Sequence, residues 1–193
     1  MSETETTAAT RRNSSLVIRG AEPADREAIR GVVLGAYARH AGQLAPEVFS
    51  RYLADQLDLG AHASYGRLLV AGTQEGIVGF AAFYPDASVP DSGFPSGWAG
   101  VRVLAVYPGA GDADVRRALL GACERLAAEA GAPVLAIRTA GFMTDAIPGY
   151  ERLGYRSAPE FDGTAPLRSV AHLRYVAQMY MNLSRLLRPD IQP

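Results

Sequence analysis

The stretch VYPGAGDADVRRALL, residues 106–120, decides how the chain folds. Val106 closes an apolar run that starts at Trp98, and a run this short and this rich in valine reads as a strand. Pro108, Gly109 and Gly111 interrupt it, because proline withholds an N–H and glycine admits backbone conformations closed to other residues. From Asp112 the pattern takes a helical period, placing Val115, Leu119, Leu126 and Ala130 on one face over residues 112–130. Residues 133–138, PVLAIR, are extended again. Strand, helix and strand in this order make a β-α-β unit with a right-handed crossover.

Working outward, residues 15–19 read as a strand, and residues 21–42 turn to helical period through Ile29, Val32, Val33 and Ala36. Residues 46–59 give a second amphipathic helix, with Pro46 in its first turn. RLLVAG, residues 67–72, and IVGFAAFYP, residues 77–85, flank a turn at residues 73–76 and read as a hairpin. Residues 86–97 form a long loop rich in proline, glycine and serine, a candidate lid or substrate wall. After the β-α-β unit, residues 144–153 predict a short helix stopped by Gly154, and residues 172–183 a last strand. The expected order is β, α, α, β, β, β, α, β, α, β, β, one mixed α/β domain over residues 15–184, with a disordered tail at 1–14 and a second tail at 185–193.

Lys+Arg number 19 against 20 Asp+Glu, a formal charge of −1, and nothing in that balance advertises nucleic acid or a membrane surface. The expected partner is a small-molecule substrate, and a homodimer stays open. The one cysteine, Cys123, sits inside the helical pattern beside Leu119, Leu120 and Leu126, so it reads as a buried spectator. The three histidines are far apart, which predicts no metal site. No apolar run approaches bilayer length and the first residues lack a signal core, so a cytoplasmic protein is expected.

Val106-x-Pro108 with Leu119-Leu120, Ile18-Arg19 ahead of Asp25, Val78-Gly79-Phe80 and Tyr150-Glu-Arg-Leu-Gly-Tyr155 occur in an order and spacing that resemble the Gcn5-related N-acetyltransferase (GNAT) superfamily. The resemblance implies a single-domain α/β fold, with a mixed, mostly antiparallel sheet of six to seven strands and about four helices. It also implies acetyl-CoA or another acyl-CoA as cofactor, and acetyl transfer to a small-molecule amine. Residues Leu104, Ala105 and Val106 fall on the family's fourth strand, and Gly111, Asp112, Ala113, Asp114 and Arg116 on its pyrophosphate loop. That loop is degenerate: Gly111 stands at the family's arginine, and Asp112, Asp114 and Arg116 stand at its glycines. The two carboxylates fall at a positive helix end, where they would act as caps or repel phosphate.

Among candidate catalytic groups, Tyr150 falls where the family often places its general acid; a purely packing role is the alternative. The family's strand-four acid aligns with Gly100, which cannot serve, leaving His40, His62, Glu75 and Asp86 as candidate bases. Tyr37, His40, Phe83 and Arg102 are the expected substrate contacts, with Tyr52, Tyr65, Phe94 and Trp98 as further aromatics for a pocket. Arg102 is expected to alternate outward from Val101 and Val103, facing an acceptor carboxylate or a neighbouring acid. Met143 replaces the asparagine that relatives set against the pantetheine arm, and Ala146 keeps its place. The competing reading is a protein of the same fold that has left acetyl-CoA behind, serving as a binding protein or running other chemistry in the cleft.

Overall fold

The computed structural model describes residues 15–89, 92–163 and 169–176. Its centre is the strand β3, Gly76–Tyr84, whose residues from Gly79 onward are all buried, as a nearly unbroken apolar run requires. Around it lie β1 (Val17–Gly20), β2 (Arg67–Thr73), β4 (Ala99–Val106), β5 (Val134–Ala140), β6 (Arg156–Ser157) and β7 (Ser169–Tyr175), in the sheet order β1-β2-β3-β4-β5-β7-β6. Among the described strands only β4 and β5 run parallel; the other neighbours are antiparallel. This is the expected mixed sheet of seven strands.

The helices are α1 (Arg26–Ala38), α2 (Pro46–Gln56), α3 (Leu59–Tyr65), α4 (Asp112–Glu129) and α5 (Ile147–Arg152). On one face of the sheet α1 packs Ile29, Val32 and Val33 against Val70, Phe80 and Val103. On the other, α4 packs Val115, Leu119 and Cys123 against Ala71, Ala81 and Leu135, joined by Tyr150 of α5. Cys123 is fully buried and its thiol is pushed up to about 12 by that burial, which suits a spectator. No helix among the described residues is long and apolar enough to cross a membrane.

Three boundaries differ from expectation. The helix α3 follows α2 at once, because Asp58 caps it by accepting from the Ala61 N–H at 2.9 Å. α5 starts at Ile147 rather than residue 144, with Pro148 in its first turn. The last strand occupies Ser169–Tyr175; the part of the expected strand past residue 176, and both expected tails, lie outside the described residues.

Of two register shifts among the described strands, one at Ala71/Gly72 and one at Ala82/Phe83, the second shapes the site. Ala82 faces Val103 and Phe83 faces Val101, so β4 carries an extra residue, Arg102, at a β-bulge. The bulge reverses the side-chain alternation: Val101 packs in the α4 core, while Val103 and Ala105 pack in the α1 core. The expected outward alternation of Arg102 between two equivalent valines is corrected accordingly. The β4–β5 ladder also stops early, with pairs only at Ala99↔Leu135, Gly100↔Ala136 and Val101↔Ile137. Beyond Val101 the two strands continue without pairing to each other.

The seating of α4 depends on Gly79, where a Cβ would fall 2.7 Å from Val115 Cγ1 and 3.0 Å from Leu119 Cδ1. Gly79→Val should therefore lower unfolding free energy by roughly 1–3 kcal/mol or more through overpacking. Urea denaturation checks this, and an unchanged midpoint would contradict the packing.

Candidate active site

A narrow slot opens where β4 and β5 part, lined by Tyr37 and Tyr52 from the helices on one face and Tyr150 from the other. Arg102 and Leu104 supply its β4 wall, and Arg138 and Thr139 its β5 wall. Leu104, Ala105 and Val106 pair only with β3, so the β4 backbone groups facing the slot have no strand partner among the described residues. Such groups stay polar and available.

Of the three described phenols that border the slot, Tyr37, Tyr52 and Tyr150, the last is the candidate acid that the sequence singles out. Its ring packs 5.5 Å from that of His172 and edge-on to Tyr155 at 6.2 Å, and Arg116 lies 5.8 Å from its centroid. Burial raises the phenol above its ordinary value, and the nearby Arg116 charge partly offsets that rise. The phenol therefore keeps its proton at neutral pH. It packs in the core and borders the slot at once.

Past β4, the chain turns through Gly109 and Gly111, both with positive φ (84° and 75°), into α4. Gly111 is the N-cap and offers no side chain. The N–H groups of Gly111, Asp112 and Ala113 find no acceptor among the described residues, since the first helical bonds come from Asp114 and Val115 back to the Gly111 carbonyl. The expectation that Asp112 and Asp114 cap the helix is overturned. Both lie inside it, where side chains run along the surface to the next turn. Asp112 pairs with Arg116 at 2.7 Å and Asp114 with Arg117 at 3.3 Å. Two acids and two arginines make this helix start neutral, with free amides at its tip.

On the α1 side, a second, partly open cavity adjoins the slot, bounded by Tyr84, Val89, Phe94 and Gly100, with Arg102 and Arg138 bordering both spaces. Ala87 from the loop lies where a side chain at position 100 would project, 3.0 Å from an ideal Cβ. A side chain at this strand position would require the loop at Ala87 to shift. Arg102 approaches Asp55 at 3.6 Å. Arg138 donates to the Phe161 carbonyl at 2.8 Å and sits 4.6 Å from the Phe94 ring centroid.

Of the expected substrate contacts, Tyr37 and Arg102 meet at the slot, and Phe83 and His40 do not line either cavity. Phe83 follows the bulge and packs in the α4 core. His40 is buried behind the slot, 5.6 Å from the Phe142 ring; its Nε2 accepts from Arg39 at 3.2 Å and its Nδ1–H donates to Gln43 Oε1 at 3.2 Å. Among the expected bases, His62 is spent structurally. Its Nε2–H donates to the Asp55 carbonyl at 3.0 Å, which leaves Nδ1 to accept from the Tyr84 hydroxyl at 2.7 Å, and burial lowers its pKa. Asp86 is tied to Ser88 and Ser96 within its own loop, and hydrogen bonds from Ser88 lower its carboxyl. Glu75 lies exposed in the β2–β3 turn. Met143 lines the slot and accepts from the Tyr52 hydroxyl at 3.7 Å. Among the further aromatics, Tyr52 reaches the slot and Phe94 the second cavity. Tyr65 is exposed beside Tyr84, and Trp98 packs against Phe161. Arg138 and Thr139 were not singled out by sequence; an arginine closing an otherwise apolar strand is the signal that marks Arg138.

No protein-family model and no curated protein matches the chain. Solved structures do. A Gcn5-related N-acetyltransferase from Rhodopseudomonas palustris superposes with a TM-score of 0.65 at 19% identity, covering 84% of this chain and 96% of that one. The PaiA N-acetyltransferase from Thermoplasma acidophilum, solved in complex with coenzyme A, gives 0.63 at 13% identity, covering 81% and 98%. A GNAT-family acetyltransferase from Staphylococcus aureus gives 0.63 at 13%, covering 84% and 99%. At these identities the likeness establishes the fold, which is that of the GNAT acetyltransferases.

With tyrosines labelled at Cζ, the Tyr150 resonance, assigned by its loss in Tyr150→Phe, should titrate at higher pH than a free tyrosine. Arg116→Met should delay its titration further, because an offsetting positive charge is removed. Titration below pH 9 would contradict the buried setting.

Proposed function

We propose that this protein is an acyl-CoA-dependent N-acyltransferase, using acetyl-CoA, that acts on a small-molecule amine. The observation that carries the reading is the early end of the β4–β5 ladder, which opens a slot from the α4 side through to the α1 side with the Tyr150 phenol on its wall. The fold is shared with acetyltransferases, one of them holding coenzyme A, but fold alone does not assign an activity.

The residues present fit the coenzyme. The free N–H groups of Gly111, Asp112 and Ala113 stand at a helix N-terminus, a natural phosphate cradle, and open space surrounds the Cα positions of Gly109 and Gly111. The unpaired edge of Leu104, Ala105 and Val106 would orient the pantetheine arm by strand-like hydrogen bonds. Bound acyl-CoA supplies the activated acyl thioester. For their part, Tyr37, Tyr52 and Met143 narrow the slot and exclude water, and Tyr150 holds a proton at its hydroxyl. Arg116 keeps that phenol within reach of proton donation by opposing the effect of burial. None of His40, His62, Glu75 or Asp86 is among the residues lining the slot. The ion pairs of Asp112 with Arg116 and of Asp114 with Arg117 support coenzyme binding by offsetting the charge of the loop, one of the three grounds, with Gly100 and Met143, for the reading in which coenzyme A has been abandoned.

Calorimetry with coenzyme A tests this directly: micromolar binding is expected, and no binding at millimolar ligand would favour a protein that keeps the fold without the coenzyme. The double change Asp112→Asn with Asp114→Asn turns a neutral helix start into one of charge +2. It should tighten coenzyme A about 3- to 10-fold at low salt, with the gain fading as salt rises. A salt-independent gain would mean that the carboxylates block the site sterically. Tyr150→Phe should cut kcat roughly 100-fold while leaving coenzyme A affinity unchanged; a drop under threefold would reduce Tyr150 to packing.

A further inference from the structure

Two guanidinium groups face the cavity on the α1 side, and their charges are poorly answered. Arg102 stands at the bulge of β4, and Arg138 stands one residue past the last β4–β5 pair. Both line the second cavity and the slot. Arg102 has one acidic neighbour among the described residues, Asp55 at 3.6 Å, and both of those side chains are substantially exposed. Arg138 has no ion-pair partner among the described residues. It donates to one backbone carbonyl, leans on the Phe94 ring, and keeps a buried Nε–H with no acceptor. Burial and the neighbouring Arg102 charge both disfavour its charged form, and the Asp162 carboxylate, beyond ion-pair distance, offsets them only in part. A partly buried guanidinium with a spare donor is costly to keep unless an anion arrives to meet it. Arginine forks match carboxylates in shape, and two converging arginines hold one carboxylate in a fixed orientation. Beside them the cavity is apolar and aromatic, lined by Tyr84, Ala87, Val89 and Phe94.

We propose that Arg102 and Arg138 form a carboxylate-binding subsite, so that the acceptor is an amine bearing a carboxylate on an apolar body, of the amino-acid kind. This rests on the acyl-transfer reading for the role of the amine, whereas the anion site itself does not depend on it. A carboxylate seated there places the rest of the molecule between the aromatic wall and the mouth of the slot. The same charges repel polycationic amines, so specificity comes from rejection as well as attraction.

The test titrates two probes into the coenzyme-free protein by calorimetry: N-acetyl-L-phenylalanine and its uncharged analogue N-acetyl-L-phenylalaninamide. The acid should bind at least tenfold more tightly. Arg138→Met and, separately, Arg102→Met should each remove most of that preference while leaving amide binding within about twofold, with melting temperatures recorded as a folding control. The acid-against-amide comparison on the unaltered protein decides the matter even if both variants fail to fold. Equal binding of the two probes, or no binding of either at millimolar concentration, would overturn the proposal. An acid preference without acetyl transfer from acetyl-CoA to any amine would sink the enzymatic reading and leave the subsite standing. Acetyl transfer that runs equally on phenylalanine and phenylalaninamide would do the reverse.

Discussion

The ladder between β4 and β5 holds three residue pairs and then ends, although both strands continue. A sheet that parts in its middle gives up backbone hydrogen bonds, and a protein tolerates this only where something else compensates. Here the Arg102 bulge bends β4 away, and large side chains fill the wedge: Tyr37 and Tyr52 from one face, Ile137 and Tyr150 from the other. The rigid halves of the sheet on either side are closed by ordinary core packing, with Gly79 letting α4 approach β3 and Gly100 letting the loop at Ala87 approach β4. The gap is therefore a fixed feature of the scaffold, with both of its walls on strands.

The two faces that the gap connects differ in electrostatics. On the α4 side, the helix start carries free amides and two neutralised ion pairs, and Arg116 doubles as a neighbour of the Tyr150 ring. On the α1 side, Arg102 and Arg138 leave positive charge only partly answered. A donor with phosphates and an acceptor with a carboxylate would meet through the gap from opposite faces, each held by groups suited to an anion. The division of labour follows from chain topology. α4 leaves β4 on one face, while the loop at residues 86–97 and the helices α1 and α2 cover the other.

Much of this was legible in the residue pattern. The stretch from Val106 to Leu120 announced strand, break and helix, and α4 begins at Asp112 as read, with β5 following at Val134. Cys123 was legible as a buried residue because its helical neighbours are apolar. The bulge was not legible. One extra residue leaves no mark in composition, yet it reverses the alternation along β4, so that Val101 faces the α4 core, Val103 faces the α1 core and Arg102 does not sit between two equivalent valines. Of the two readings of the aspartates, caps or phosphate repulsion, the cap is not what forms: with α4 starting at Asp112 both carboxylates are first-turn side chains, and Gly111 holds the cap position. His40 and His62 carried the right chemistry for a base, but only the tertiary structure shows their ring nitrogens engaged by Arg39 and Gln43, and by Asp55 and Tyr84.

The central claim is that the gap beside β4 and the tip of α4 together receive coenzyme A. Amide hydrogen exchange, read residue by residue with and without saturating coenzyme A, addresses it most directly. Protection should rise at the slot-facing amides of residues 102–106 and at Gly111, Asp112 and Ala113, and stay unchanged along β1 and β2. Protection that rises elsewhere, or nowhere, would contradict the account.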